Sequence, residues 1–176
     1  MLKMSRISVF AGLLVLLVGL AVTPVQAATQ ADADAAKAAA DAARTGMATA
    51  NTACVAAMNA CGVDQNQAGT LLDSYQGSNA AYLNQEYSEG LTTQDNAWTQ
   101  YQSQAEGSAT SSNDSYQSGN TAYGNQDWAG AVNYYNQAAS SATQAKNLFN
   151  QAASYYSCAE GYFENVISGC GGSDND

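Results

Sequence analysis

The sequence predicts an all-α chain of up-and-down helical hairpins, and three observations carry that prediction. Residues 28 to 61 are rich in alanine, lack proline and hold a single glycine, Gly46, so their intrinsic preference is strongly helical. Near the other end, Trp128, Val132, Tyr135, Ala139, Ala142, Lys146, Phe149, Ala153 and Tyr156 keep a helical period across 29 residues, which predicts one long helix. Between them the chain repeats itself. An offset of 41 residues lays Ser74-Tyr75-Gln76 on Ser115-Tyr116-Gln117, Asn79 on Asn120, Ala81-Tyr82 on Ala122-Tyr123 and Asn84-Gln85 on Asn125-Gln126, eight identities in twelve positions. The next pair, Glu86-Tyr87, becomes Asp127-Trp128, an acid followed by an aromatic in both copies.

Lys3 and Arg6 precede an apolar run from Ile7 to Val22, and Val25-Gln26-Ala27 offers the small residues a signal peptidase reads. Residues 1–27 therefore read as a cleaved signal peptide, and the chain is predicted to be secreted or periplasmic. The run of 16 residues is shorter than the roughly 20 a membrane-spanning helix needs, so no membrane insertion is expected after cleavage. Residues 28–62 form the alanine-rich helix. In it Met47, Cys54, Met58 and Cys61 fall on one face, Gly62 is the expected stop, and Asp64 with Gln67 is a capping pattern that begins the next helix.

Residues 63–160 then read as two helical hairpins, the last helix extended. Leu72, Tyr75, Asn79 and Tyr82 share one helical face, and Tyr87, Leu91, Trp98 and Tyr101 share another after a break near Gln85. Gly107 to Asp114 is a turn-rich link. Gly161 interrupts the final helix, and residues 161–176 are a short acidic tail carrying Cys170.

Beyond residue 27 three cations, Lys37, Arg44 and Lys146, face fifteen carboxylates, a net charge of −12. Such a surface repels phosphate backbones, which excludes nucleic acid as a ligand, and it fits an anionic membrane surface no better. A charged protein partner is expected to be basic. Four cysteines in an exported chain, Cys54, Cys61, Cys158 and Cys170, read as two disulfides. Their spacing is unlike that of zinc knuckles and the chain contains no histidine, so neither a metal site nor a cofactor is expected.

The run GNTAYGNQDWAGAVNYYNQA resembles a tetratricopeptide repeat at Gly119-Asn120, Tyr123, Asp127-Trp128, Ala131, Tyr135 and Ala138. A degenerate copy covers Ser78-Asn79, Tyr82, Glu86-Tyr87 and Gly90, with Gln94 where the second copy has Tyr135. The period of 41 residues exceeds the family's roughly 34, and the closing proline is missing, so the second helices are expected to be overlong. The resemblance implies two helical hairpins flanked by the alanine-rich helix and the long last helix, with Tyr82, Tyr123, Trp128 and Tyr135 in the core. In an up-and-down order, Cys61 and Cys158 lie at one end, and a tail turning back at Gly161 brings Cys170 towards Cys54. The expected staples are thus Cys61 to Cys158 and Cys54 to Cys170, against two other connectivities.

The resemblance also implies that the inner faces of the first helices present Asn79, Asn84, Asn120 and Asn125 to a partner, while Tyr134 is free of a packing role. Without histidine, and with its cysteines expected oxidised, the chain is not expected to be an enzyme. The reading that follows is a protein-binding or assembly scaffold. The alternative is a structural envelope or matrix protein that self-associates through its alanine-rich helix. A third ligand class, glycans, would stack on exposed tyrosines and tryptophans.

Overall fold

The computed structural model describes residues 27–171. The predicted signal peptide, apart from Ala27, and residues 172–176 lie outside the described residues. Within them the chain is all-helical. Helix α1 spans Gln30–Ser74, α2 Ala80–Asn96, α3 Ser103–Gly124 and α4 Trp128–Gly171. A π-helical segment, Ala97–Gln102, joins α2 to α3 without leaving helical backbone, so those two form one continuous rod. Three rods, each roughly 66 Å long at 1.5 Å per residue, run up, down and up. Parallel α1 and α4 pack closely along their length, and both α2 and α3 lie on α4. By contrast, α1 touches the second rod sparingly.

The sequence reason for such long rods is a heptad seam. In α4 the buried residues are Ala131, Tyr135, Ala138, Ala142, Ala145, Phe149, Ala152, Tyr156, Ala159, Phe163 and Val166, alternating steps of four and three that keep one face inward. One set is small, Ala138, Ala145, Ala152 and Ala159, and the other is mostly large, Tyr135, Phe149, Tyr156 and Phe163. The second rod answers with Leu83, Gly90 and Ala97, then Ala105, Ser112 and Gly119, all buried. Each step is seven residues except that from Ala97 to Ala105, which is eight. The π-helical segment absorbs this extra residue, the Ser103 amide reaching back to the Trp98 carbonyl, and so keeps both halves of the rod facing α4.

Small residues on the second rod receive the large ones of α4. A Cβ on Gly90 would stand 2.6 Å from the Phe163 ring, and one on Gly119 would stand 2.7 Å from that of Tyr135. Beside them the buried Ser112 hydroxyl donates to the Ala138 carbonyl at 2.9 Å.

Both rod ends are locally specified. Thr29 and Asp32 form a capping box: the Asp32 amide donates to Thr29 Oγ1 at 3.3 Å, and the Thr29 amide donates to Asp32 Oδ2 at 2.8 Å. The Thr29 hydroxyl, donating to Asp32 Oδ2 at 2.7 Å, and then the Thr29 amide hold the Asp32 carboxyl below its ordinary range. At the other turn, Gln126 adopts φ 61°. The Asp127 amide donates to the Ala122 carbonyl at 2.9 Å and the Gln126 amide to that of Tyr123 at 3.0 Å, a Schellman closure of α3. Asp127 then caps α4 by accepting from the Gly130 amide at 2.9 Å.

Several expected breaks are not there. Gly62, with Asp64 and Gln67, lies inside α1, Gln85 inside α2, Gly107 to Asp114 inside α3, and Gly161 inside α4. A glycine in a helix costs about 1 kcal/mol relative to alanine. The buried seam runs on across each of these places, through Ala68 beyond Gly62 and through Phe163 and Val166 beyond Gly161, and outweighs it. Two separate hairpins with a link between them are therefore replaced by three uninterrupted rods. The repeated segments occupy unlike places: Tyr75 follows the end of α1 whereas Tyr116 lies within α3, and Glu86 lies within α2 whereas Asp127 precedes α4.

The cysteines are free. Cys54 and Cys61 are buried, Cys158 is exposed and Cys170 half-buried. With Gly46 packed beside Lys146, Cys170 lies about 16 residues beyond the level of Cys54, roughly 24 Å of helix, because the tail continues α4 instead of turning back. Cys61 and Cys158 are closer in height, but one is sealed in the core and the other meets solvent.

Candidate functional site

Because α1 and the second rod touch sparingly, a groove runs between them. Its walls are Met47, Asn51 and Met58 of α1, facing Leu91 and Asp95 of α2, Trp98 of the π segment, and Glu106, Thr110 and Asn113 of α3. The floor is α4, which contributes Phe149 in one hollow of about 390 Å³ and Tyr156 in a second of about 300 Å³. From Leu91 to Asn113 the groove is roughly 33 Å long. Its apolar content is solvent-accessible: Trp98 is 46% and Leu91 38% exposed. Its charges at the rim are Asp95 and Glu106, both acidic and exposed. A larger depression of about 570 Å³ is lined by α4 residues alone, from Ala139 to Leu148, and gathers no chemistry.

Between the two hollows the groove floor is closed by a buried polar cluster. Gln102, set in the core by the extra residue of the π segment, accepts from the Tyr156 hydroxyl at 2.8 Å and lies 3.9 Å from Cys54 Sγ. Its Nε2 donates to Glu106 Oε1 at 3.2 Å. Burial pushes the Tyr156 phenol up to about 12 and raises the Cys54 thiol, with Glu106 adding repulsion. Burial likewise lifts the Cys61 thiol to about 11, reinforced by Glu160 and Asp64. These thiols are protonated near neutral pH and are core residues rather than nucleophiles.

At the upper mouth of the groove Arg44 stacks on the Tyr116 ring, 4.1 Å from its centroid. Its Nη2 donates to Asn113 Oδ1 at 2.8 Å. Lys37 lies 5.6 Å from the same ring. Elsewhere, oxygens of Asp64, Glu160 and Glu164 lie within 4.8 Å of one another between α1 and α4. This is the one grouping of three or more such side chains among the described residues, and exposed acidic groups of this kind are common without an ion.

The sequence-derived contact residues do not line one face. Asn79 sits at the turn between α1 and α2, accepting from the Tyr75 hydroxyl. Asn84 donates to the Ala80 carbonyl at 2.8 Å on the surface of α2. Asn120 accepts from the core Tyr135 hydroxyl at 2.9 Å, and Asn125 ends α3. The first pair and the second are thus at opposite ends of one rod, roughly 60 Å apart. The structure does bring Asn125 and Tyr134 together, in a hollow with Ser118, Thr121 and Asp127. Of the expected core aromatics Tyr135 is fully buried, Tyr123 and Trp128 are half-buried against each other, and Tyr82 is 56% exposed. The groove residues Met58, Leu91 and Trp98 were each placed on helix faces by spacing, but nothing in the sequence said that α1 and α2 would hold those faces apart.

No known protein family, no curated protein and no solved structure matches this chain.

Proposed function

We propose that the chain is an exported, non-catalytic scaffold that holds a basic amphipathic helix of a partner protein in the groove between α1 and the second rod. The observation that carries this reading is the exposed Trp98 with Leu91, set opposite Met58 over an aromatic floor and edged by Asp95 and Glu106. Apolar anchors at helical spacing on the partner would seat against this floor, and lysines or arginines flanking them would meet the acidic rim. Methionines on the wall suit such seating, since their unbranched chains adapt to a ligand's shape. A groove of roughly 33 Å admits about six turns of helix, and the whole chain's negative charge steers a basic segment toward it.

Self-association through the alanine-rich helix would need a different surface from the one expected, because Ala33, Ala36, Ala40 and Ala50 are buried within the bundle.

The test uses dye-labelled synthetic amphipathic helices with one apolar seam and either basic or acidic flanks, titrated with the protein while the fluorescence anisotropy of the peptide is followed. Tight binding of the basic peptide alone is expected, weakened at least tenfold by Trp98→Ala and by the pair Asp95→Asn and Glu106→Gln. Equal binding of both peptides, or affinity unchanged in these variants, would remove the groove from the proposal. Photocrosslinking from position 110 in the native envelope fraction then identifies the partner. Recovery of self-crosslinks alone would support the matrix-protein reading instead.

A further inference from the structure

On the opposite side of the π segment from the groove, Tyr101 meets Tyr155 of α4. The ring centroids are 4.8 Å apart with planes tilted by 42°, and the Tyr101 hydroxyl donates to the Tyr155 hydroxyl across 3.3 Å. The oxygens are closer than the ring centres, so the rings converge at their hydroxyl ends, where the ortho carbons lie. Tyr155 is 37% exposed and Tyr101 is half-buried, so an oxidant reaches the pair. Among the described residues no other two tyrosines bring their hydroxyls together. The nearest competitor, Tyr116 with Tyr135, has centroids 5.4 Å apart, and Tyr135 is fully buried with its hydroxyl tied to Asn120.

From this geometry we infer that Tyr101 and Tyr155 are a site of oxidative coupling, where a carbon–carbon bond joins the second rod to α4 at mid-height. The oxidant is a peroxide used by a peroxidase. Each phenol gives up one electron and its hydroxyl proton, leaving two phenoxyl radicals whose ortho carbons form the new bond. The hydrogen on each of those carbons then moves to its phenoxyl oxygen, restoring two phenols. The net loss is two hydrogen atoms, which convert one hydrogen peroxide into two waters. Pre-orientation matters because coupling requires two short-lived radicals to meet, and rings already in contact need no diffusion. The bond would span the π segment, where the second rod departs from regular helix, and would supply a cross-link that the four free cysteines do not.

Trypsin separates the pair, since cleavage after Arg44 and Lys146 leaves Tyr101 in residues 45–146 and Tyr155 in residues 147–176. The protein is treated at low concentration with peroxidase and limiting peroxide, denatured, reduced and digested. The expected result is a monomer lighter by two hydrogens, with dityrosine fluorescence and with the two fragments covalently joined. Tyr101→Phe and Tyr155→Phe should each abolish the joined species, while Tyr134→Phe, on the exposed face of α4, leaves it unchanged. The inference is overturned if the fragments remain joined in either phenylalanine variant. It is equally overturned if only intermolecular products form, or if no coupling occurs at peroxide levels that couple free N-acetyltyrosine.

Discussion

Helix α1 meets its two neighbours in opposite ways. Toward α4 it offers Ala33, Ala36 and Ala40, buried in one cluster with Ala131, Tyr135 and Ala138, and Ala50, buried in another with Ala145, Phe149 and Ala152. Side chains as short as alanine's let two parallel helices approach closely, and close approach is what fills the interface. Toward the second rod α1 offers Arg44, Met47, Asn51 and Met58 against Tyr116, Trp98 and Leu91, and these longer chains hold the backbones apart. One helix thus carries a closed seam and an open wall. The lesson is that in a leucine-poor bundle alanines and a few large rings of α4 supply the cohesion, which leaves Trp98 and Leu91 exposed for another task.

The sharpest way to break that contrast is to enlarge the closed seam. Ala152→Leu should cost about 1–3 kcal/mol in chemical denaturation, the range for extra methylenes forced into a packed core, because Ala152 is fully buried. Trp98→Ala, a far larger change in volume on the open wall, should stay within about 1 kcal/mol, as exposed positions do. Equal losses at the two sites would mean that the groove is as tightly packed as the seam.

A second effect acts where the two sides meet, at the buried polar centre. Cys61 and Tyr156 are buried in their neutral forms, and burial lifts their ionisation from 9.0 to about 11 and from 10.0 to about 12. In the unfolded chain both ionise at the lower values. Their contribution to stability is therefore complete below about pH 9, and it is lost as pH rises through the folded values. The melting temperature should fall steeply between about pH 9 and about pH 12. Cys61→Ala and Tyr156→Phe should each flatten that fall, even though each starts from a lower stability. A slope unchanged in both variants would place the alkaline transition elsewhere.

How much of this was legible depends on which rod is considered. Along α4 the period was readable because Tyr135, Ala142, Phe149 and Tyr156 recur every seven residues, and all four are buried. On α1, Met47, Cys54, Met58 and Cys61 were correctly assigned to one face, but Gly62 and Asp64 looked like a stop. The second rod hid its pattern for two physical reasons. Its seam residues include Gly90, Gln102, Ser112 and Gly119, which no hydrophobic period would select. Those two glycines are small because large rings of α4 fill their places, a fact of the partner helix and not of the local sequence. The inserted residue between Ala97 and Ala105 also breaks the phase midway. With that seam invisible, the 41-residue repeat drew attention to Asn79, Asn84, Asn120 and Asn125, and the groove, which depends on the spacing between rods, went unread.

The smallest expected effect tests what little ties α1 to the second rod. Arg44 is the strap beside the groove: its guanidinium carbon lies 4.1 Å from the Tyr116 ring centroid and its Nη2 donates to Asn113, while its buried Nε has no hydrogen-bond partner. A second strap lies at the rod's end, where the Tyr123 hydroxyl donates to Asp34 Oδ1 and accepts from Gln30 Nε2. Lysine keeps the charge but lacks the planar fork and the stacking face. Arg44→Lys should therefore cost about 0.5–1 kcal/mol, the scale of an exposed cation–π contact. The loss should be nearly insensitive to salt, because what changes is stacking and one directional bond rather than net charge. A loss near that of Ala152→Leu would mean that the second rod depends on α1 directly instead of on α4, and the open wall would then be a structural joint. A loss confined to the smaller range leaves the wall free to receive a ligand, since the few polar straps between α1 and the second rod can yield without unpacking the alanine seam beside them.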